Sequence, residues 1–417
     1  METTLIFEGR TGYIIVIPEA PSVVEVTAAE ELRGYLIKAS GLTLPIVKED
    51  AAGSDSDSSS GSIPGGMADD DPDSIPGGVT NVPADCAPAF YVGHTVFAEK
   101  AGIRGSSEEN WIMAMCDGSL ILTGGTGRED RGILYSVYHF LEDIVGVRWW
   151  TRFEEDVPEI SSLSLPSDYY REGTPAFTFR KILSHKDVPD FFFEARNRGN
   201  VIMPARDVPG GIYDESVRRL GGALHMGRPN HVHTLGLYFP ASETYAQHPD
   251  WFAWSETEQK RVTYGHYCLT NEEYIRAMTD KLLGFIREDR LIEKEKGIKP
   301  PVFYSVSFPD SANGFCDCPK CRAAREKSGP SGYALGFVNR IARAVAKEYP
   351  DVKVETLIYS VYLDKPKDDT LPEKNVIIRL AEVYVDIIHG LHHKGNAKYL
   401  SLLRDWSAIC RKSGSDL

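Results

Sequence analysis

No uninterrupted apolar run in this chain approaches the roughly 18 residues that a membrane-spanning helix requires. Its first residues, METTLIFEGRTGYIIVIPEA, also lack the basic region, apolar stretch and small-residue cleavage site of a secretory signal. The expectation from both absences is a cytoplasmic protein with no membrane partner. Basic clusters are missing too: Lys and Arg number 46 against 60 Asp and Glu, for a net charge of -14. Phosphate backbones are held by a positive footprint, so nucleic acid is excluded as a partner. Cysteine is sparse and odd in number, seven residues with Cys316, Cys318 and Cys321 inside six positions. Such crowding favours reduced thiols or a metal site over a disulfide framework. A phosphate-binding loop is absent as well. Glycines do precede a helix in Gly124-Gly-Thr-Gly-Arg128, but neither G-x-x-x-x-G-K-S/T nor G-x-G-x-x-G is present, and no organic cofactor is expected.

What remains is ordinary globular material, 42% hydrophobic and 25% charged over 417 residues. That length exceeds one compact core and suits two domains. Six Trp and 20 Tyr in an acidic chain suit a sugar, or another neutral or cationic small ligand. The first domain, residues 1–165, reads as α/β. Leu5–Phe7 and Tyr13–Ile17 pattern as strands, and Thr27 with Glu30 reads as an N-cap pair for a helix through Leu36. Trp111–Cys116 and Ser119–Thr123 form a hairpin about Asp117-Gly118, a pair that tolerates positive φ. Residues 51–85 break the pattern: Ser, Asp, Gly and Pro dominate, and Ser62-Ile-Pro-Gly-Gly recurs from Ser74. So little apolar surface cannot offset the entropy of ordering, and the stretch is expected to be a disordered insertion.

A connector at Pro166–Pro175 marks the boundary. From 175 to 417 strands alternate with helices. Phe177–Leu183, Asn200–Met203, His231–Tyr238, Val302–Phe308, Val354–Ser360 and Val376–Ala381 read as successive parallel strands, and Thr244–Trp254 as one of the helices between them. Such alternation marks a βα barrel or a doubly wound sheet. The expected fold class is an α/β domain followed by a TIM-like (β/α) barrel truncated by about two βα units, since six units leave either an open sheet or a fragment of a longer protein.

Several motifs carry a family resemblance. Ala28-Ala-Glu-Glu-Leu, Gly41-Leu-Thr-Leu-Pro-Ile, Gly132-Ile-Leu-Tyr-Ser-Val-Tyr and Gly146-Val-Arg-Trp-Trp make the first domain similar to the accessory amino-terminal domain of family 67 α-glucuronidases and family 20 hexosaminidases. Phe193-Glu-Ala-Arg-Asn-Arg-Gly-Asn, His248-Pro-Asp-Trp-Phe, Cys268-Leu-Thr-Asn-Glu, the Cys316 cluster and Asn375-Val-Ile-Ile-Arg-Leu make the second resemble the bacterial domain-of-unknown-function family 4838, a barrel relative of those hydrolases. The resemblance implies hydrolysis of an O-glycosyl bond in a carbohydrate substrate, such as a uronic-acid or amino-sugar glycoside. Non-catalytic glycan binding on a degenerate hydrolase scaffold is the alternative.

Glycoside hydrolysis needs two carboxyl groups, or one acid and a substrate amide. Asp310 and Glu382, each at an expected strand end, are the candidate catalytic pair. Substrate-assisted relatives carry an adjacent Asp-Glu where this chain has Pro309-Asp310, a departure that favours the non-catalytic alternative. Arg180, His231, His233, Asp386 and His389 are the candidate substrate-binding residues, since an Arg fork suits a sugar carboxylate. Arg196 and Arg198 read instead as partners of internal acids, and Trp251 and Trp254 as core. Cys316-x-Cys-x2-Cys supplies three soft ligands for a structural zinc. Cys268 is the expected fourth, His266 the second choice, and three reduced, unliganded thiols the remaining possibility.

Overall fold

The computed structural model describes residues 1–49, 81–82, 88–182, 190–202, 215–296, 299–311, 314–381 and 385–417. The chain divides into two compact units, Met1–Asn200 with Asp214–Ala223, and Val201–Tyr213 with Leu224–Leu417. The Pro166–Pro175 connector thus lies within the first of them. Most of the 51–85 stretch falls outside the described residues. Asn81–Val82 does not: it is a strand, paired in parallel with Lys48–Glu49, where β-branched residues resume after the Ser/Gly-rich run.

The first unit is built on a seven-stranded sheet. Its order is Tyr170–Gly173, Trp111–Cys116, Ser119–Gly124, Ala89–Val92, Ile14–Ile17, Ile46–Glu49 and Asn81–Val82, with the first two pairings antiparallel and the rest parallel. Ile14-Ile-Val-Ile17 sits centrally, and continuous β-branched character suits a strand covered on both faces. One face packs on the helices Val23–Ser40 and Arg131–His139, the other on the short helix Val96–Lys100. The long helix begins four residues before the expected Thr27 cap. Ser22 and Glu25 form the capping box, while Thr27 Oγ1 bonds back to the Val23 carbonyl inside the helix. The Asp117-Gly118 turn is as read from sequence, with φ of 48° and 76°.

In the second unit, strands Val201–Ile202, Leu224–His225, Phe303–Ser305, Lys353–Ile358 and Val376–Leu380 lie side by side and parallel in that order. A single bridge, Met226 to Phe303, joins the first pair to the others. Asp416 bridges in parallel to Ile377 beyond the last. Among the described residues these strands form an open array. The helices Glu272–Lys296 and Pro319–Glu348 cover it, and the second is broken at Gly329 (φ 73°) before Pro330.

Three readings are corrected here. His231–Tyr238 is a turn leading into the helix Leu235–Tyr238, because His233 takes φ 53° and Thr234 Oγ1 is held between the Ser305 carbonyl and the Ser307 N–H at 2.9 Å each. Thr244–Trp254 is not one helix. Pro249, which has no N–H, turns the chain into a 3-10 turn, and Phe252–Ser255 then pairs antiparallel with Lys260–Tyr267. Residues Phe177–Ile182 run as irregular chain rather than strand, fixed where Arg180 and Asn200 exchange hydrogen bonds of 2.9 Å.

Gly132 marks the tightest approach in the first unit. A Cβ there would collide with the Asn110 carbonyl oxygen and the Gly125 nitrogen, both rigid backbone. Gly132→Ala is expected to destabilise the unit by roughly 3 kcal/mol, read as a lowered urea midpoint with an unchanged m-value.

Candidate metal centre and strand-end site

The hairpin Phe252–Ser255/Lys260–Tyr267 ends directly on Cys268, and Cys318 is the N-cap of the helix Pro319–Glu348, which puts Cys321 in its first turn. The ligand atoms of Cys268, Cys316, Cys318 and Cys321 all lie within 4.8 Å of one another. Cys268 Sγ is 3.8 Å from Cys318 Sγ and 3.6 Å from Cys321 Sγ. Three of the four residues are buried. The Trp254 N–H points at Cys316 Sγ from 3.3 Å, and Arg261 Nη1 lies 3.7 Å away. These donors favour thiolate over thiol. Hydrogen bonds from Cys316 and Cys321 pull the Cys268 thiol down to about 3, while the contacts of Cys316 with Cys268 and Cys321 outweigh the Trp254 donor and raise the Cys316 thiol. A divalent ion held among the sulfurs would favour thiolate ligands. The sequence's second choice, His266, is committed elsewhere.

His266 ties this cluster to the strand end that carries Asp310. Its backbone N–H donates to the Gly314 carbonyl at 2.9 Å and its Nε2 to the Ser311 carbonyl at 3.2 Å, while Nδ1 lies 3.1 Å from the Tyr362 hydroxyl. Phe315 stacks on the ring at 4.8 Å. Burial, chiefly, lowers its pKa to about 4, so the ring is neutral at pH 7.

Asp310 follows the strand Phe303–Ser305 and is exposed. The Tyr359 hydroxyl, from the end of the adjacent strand, lies 3.1 Å from Asp310 Oδ1 and 2.8 Å from the Pro309 carbonyl. Burial and the Asp310 contact raise the Tyr359 phenol. His233 Nδ1 donates to the Phe308 carbonyl at 2.9 Å, and its ring lies edge-on to Tyr359 at 5.3 Å. His231 sits nearby on Asn230, its pKa lowered to about 4 by burial and then by the charges of Arg379 and His233. Asp310, His231 and His233 are therefore brought to one strand end. Glu382 lies outside the described residues.

Arg180 is not at that strand end. It belongs to the first unit, where it pairs with Glu109 at 2.7 Å and donates to Tyr135 and the Arg198 carbonyl, so its fork is already engaged. Arg196 makes a two-pronged pair with Glu31 at 2.8 and 2.9 Å, and Arg198 pairs with Glu142 at 2.5 Å. Trp251 is buried against Phe239, His248 and Tyr274. Asp386 and His389 form a separate group on the segment after Leu380.

Sequence reading missed Glu355. It sits in the middle of the strand Lys353–Ile358, opposite Ser305, and is 2% exposed. Neither carboxylate oxygen accepts a hydrogen bond among the described residues. Arg379 Nη2, from the adjacent strand, lies 3.0 Å from Oε2 as an ion-pair partner. Desolvation outweighs that charge and raises the carboxyl to about 7. The signal was there: one acid inside Val354-Glu-Thr-Leu-Ile358, an otherwise β-forming run. Arg379 in turn acts electrostatically on His231, which links the buried acid to the strand-end group.

Fold and site together define a mixed α/β protein with a four-cysteine cluster placed to hold a metal ion, and no helix among the described residues is long and apolar enough to cross a membrane. Residues 149–413, well over half of the chain, match the family model described as Domain of unknown function (DUF4838), and the chain belongs to that family. No curated protein matches it. Among solved structures, a family GH115 4-O-methyl-α-glucuronidase with specificity for decorated arabinogalactans is similar at 12% identity and TM-score 0.45, over 90% of this chain and 45% of that one. A β-N-acetylhexosaminidase from Bacteroides fragilis is similar at 10% identity and TM-score 0.44, over 100% of this chain and 72% of that one. A Flavobacterium johnsoniae chitobiase gives 10% and 0.44, over 90% and 52%. The chain thus spans about half the length of the glucuronidase and the chitobiase.

Glu355 generates a pH prediction. In the unfolded chain it ionises near 4.5 and in the folded chain near 7, so between these values the folded state holds the extra proton. Its stabilising contribution is complete below about pH 4.5 and is lost as pH rises through 7, a swing on the order of 3 kcal/mol. Glu355→Gln is expected to flatten that part of the pH–stability curve, measured by urea denaturation at steps across the window.

Proposed function

We propose that this chain is a glycosidase that hydrolyses an O-glycosyl bond in a carbohydrate substrate. The observation that carries the reading is the group at the carboxyl ends of two adjacent parallel strands, where Asp310, Tyr359 and His233 meet. On this reading the parallel strands belong to a TIM-like barrel, and the first unit is its accessory domain. Strand ends are where such barrels keep their chemistry. Asp310 would act as one carboxylate and Glu382, after the strand Val376–Leu380, as the other. Whether the second attacks carbon or activates water follows from their separation. His231 and His233 offer imidazole nitrogens to sugar hydroxyls. Glu355 and Arg379 pair on the strands beneath, where the acid's ionisation sets how far the fixed Arg379 charge is offset.

The cysteine cluster is proposed to hold a structural zinc. Tetrahedral thiolate coordination with Zn–S bonds of about 2.3 Å places sulfurs about 3.8 Å apart, and the observed spacings of 3.6 and 3.8 Å fit. Four protein ligands leave no position for water, so the ion's part is to pin the loop behind Asp310.

Two measurements test these assignments. Asp310→Asn and Glu382→Gln are each expected to lower turnover on a panel of aryl glycosides and glucuronides by roughly 100-fold or more; wild-type rates in both would remove the catalytic assignment. Glycan binding with no turnover by the unaltered protein would instead mark a non-catalytic scaffold. For the metal, elemental analysis should give one zinc per chain, and Cys318→Ser should lower both that content and the melting temperature. Well under one metal per chain, with Cys316 and Cys318 freely alkylated, would sink the zinc assignment.

A further inference from the structure

A second convergence of metal-ligating atoms lies away from the cysteines, on the segment between the strand Val376–Leu380 and the helix Ala397–Ser413. We propose that Asp386, His389 and His393 form a site for a divalent transition ion of the zinc, cobalt or nickel class, with coordination positions open to solvent. The proposal is independent of the glycosidase reading.

The geometry comes first. Asp386 Oδ2 lies 2.7 Å from His389 Nδ1 and 3.5 Å from His393 Nδ1, and the three ligand atoms fall within 4.8 Å of one another. With metal–ligand bonds of about 2.0–2.2 Å, neighbouring ligand atoms lie about 3 to 3.5 Å apart, and both Asp386–histidine distances lie within a few tenths of an ångström of that range. The two imidazole rings face each other at 4.1 Å and 15°, with both Nδ1 atoms turned towards one carboxylate. Two imidazoles and one carboxylate are borderline donors that suit zinc, cobalt or nickel better than calcium or magnesium.

The loop is also built to hold this arrangement. Asn396 is 1% exposed, accepts from the Asp386 N–H at 2.7 Å, and donates to the carbonyls of Asp386 at 3.0 Å and Gly390 at 3.2 Å. One buried amide therefore fixes the backbone under the ligands, as outer-shell partners of metal sites do. Gly395 supplies an independent observation: a Cβ there would come within 3.2 Å of both Asp386 Oδ2 and His393 Nδ1, so glycine keeps clear the space where they meet. The competing contact is weak, since the Gly395 N–H reaches His393 Nδ1 at 3.3 Å. Unlike the three buried cysteines, these three ligands are accessible, with side-chain exposures of 29%, 53% and 36% for Asp386, His389 and His393. Three protein ligands leave room for water or a ligand oxygen.

The test uses full-length protein with its cysteine centre loaded with zinc. Titration with Co²⁺, followed by calorimetry and visible absorption, should show one further equivalent without thiolate charge-transfer bands. His389→Ala, His393→Ala and the isosteric Asp386→Asn should each weaken that binding at least about tenfold, with zinc content unchanged. His392→Ala, next to the cluster but outside it, should bind Co²⁺ as the unaltered protein does. Failure of the unaltered protein to take a further equivalent would overturn the proposal, as would undiminished binding in Asp386→Asn and both ligand histidine variants, or an equal loss in His392→Ala.

Discussion

Four sulfurs, three of them on buried residues, meet in one space and join parts of the chain some fifty residues apart. Cys268 ends a hairpin, Cys316 lies in a loop, and Cys318 and Cys321 open a helix. Thiolates this close repel unless a cation or strong donors compensate, so the cluster works as a clamp only when its charge is balanced. The Trp254 N–H and Arg261 supply part of that balance. Two residues before Cys268, His266 grips the Ser311 and Gly314 carbonyls. Asp310 is the residue before Ser311, so the His266 contacts fix the chain immediately after it.

A different electrostatic balance operates inside the sheet. Glu355 is buried with an arginine as its ion-pair partner and no hydrogen bond to either oxygen among the described residues. Burying a carboxylate costs several kcal/mol, and a single partner in poor hydrogen-bond geometry does not offset it. Its proton is therefore held near neutrality rather than in the acid range. The negative charge that Glu355 sets beside Arg379 is lost as Glu355 protonates, while His231, which feels Arg379, stays neutral at pH 7. The strand-end group thereby rests on a charge that changes close to neutral pH.

Much of the layout was legible from residue patterns. Cys316-x-Cys-x2-Cys announced a ligand set, and the Cys268 position proved to be its neighbour in space. Asp117-Gly118 specified its hairpin turn because few residue pairs tolerate two positive φ angles. Other readings failed where local preference was overruled by a neighbour. His231–Tyr238 has strand-like residues, yet Thr234 trades its hydroxyl to the strand at Ser305 and Ser307, and the chain turns. The hairpin Phe252–Tyr267 was hidden because Pro249 was read as a helix residue. Arg180 resembled a ligand fork, but Glu109, far away in sequence, already occupies it.

Sequence alone determined the chemistry available: which thiols, imidazoles and carboxylates the chain carries, which runs are apolar enough to become strands, and where turns must fall. These follow from side-chain identity and backbone preference, which act over a few residues. Tertiary structure decided which of those groups meet. It set Glu355 beside Arg379 rather than in water, joined Cys268 to a loop some fifty residues later, and gathered Asp386, His389 and His393 above a buried Asn396. The reason is that burial and charge depend on distance in space, and residue order does not state that distance until the chain has folded.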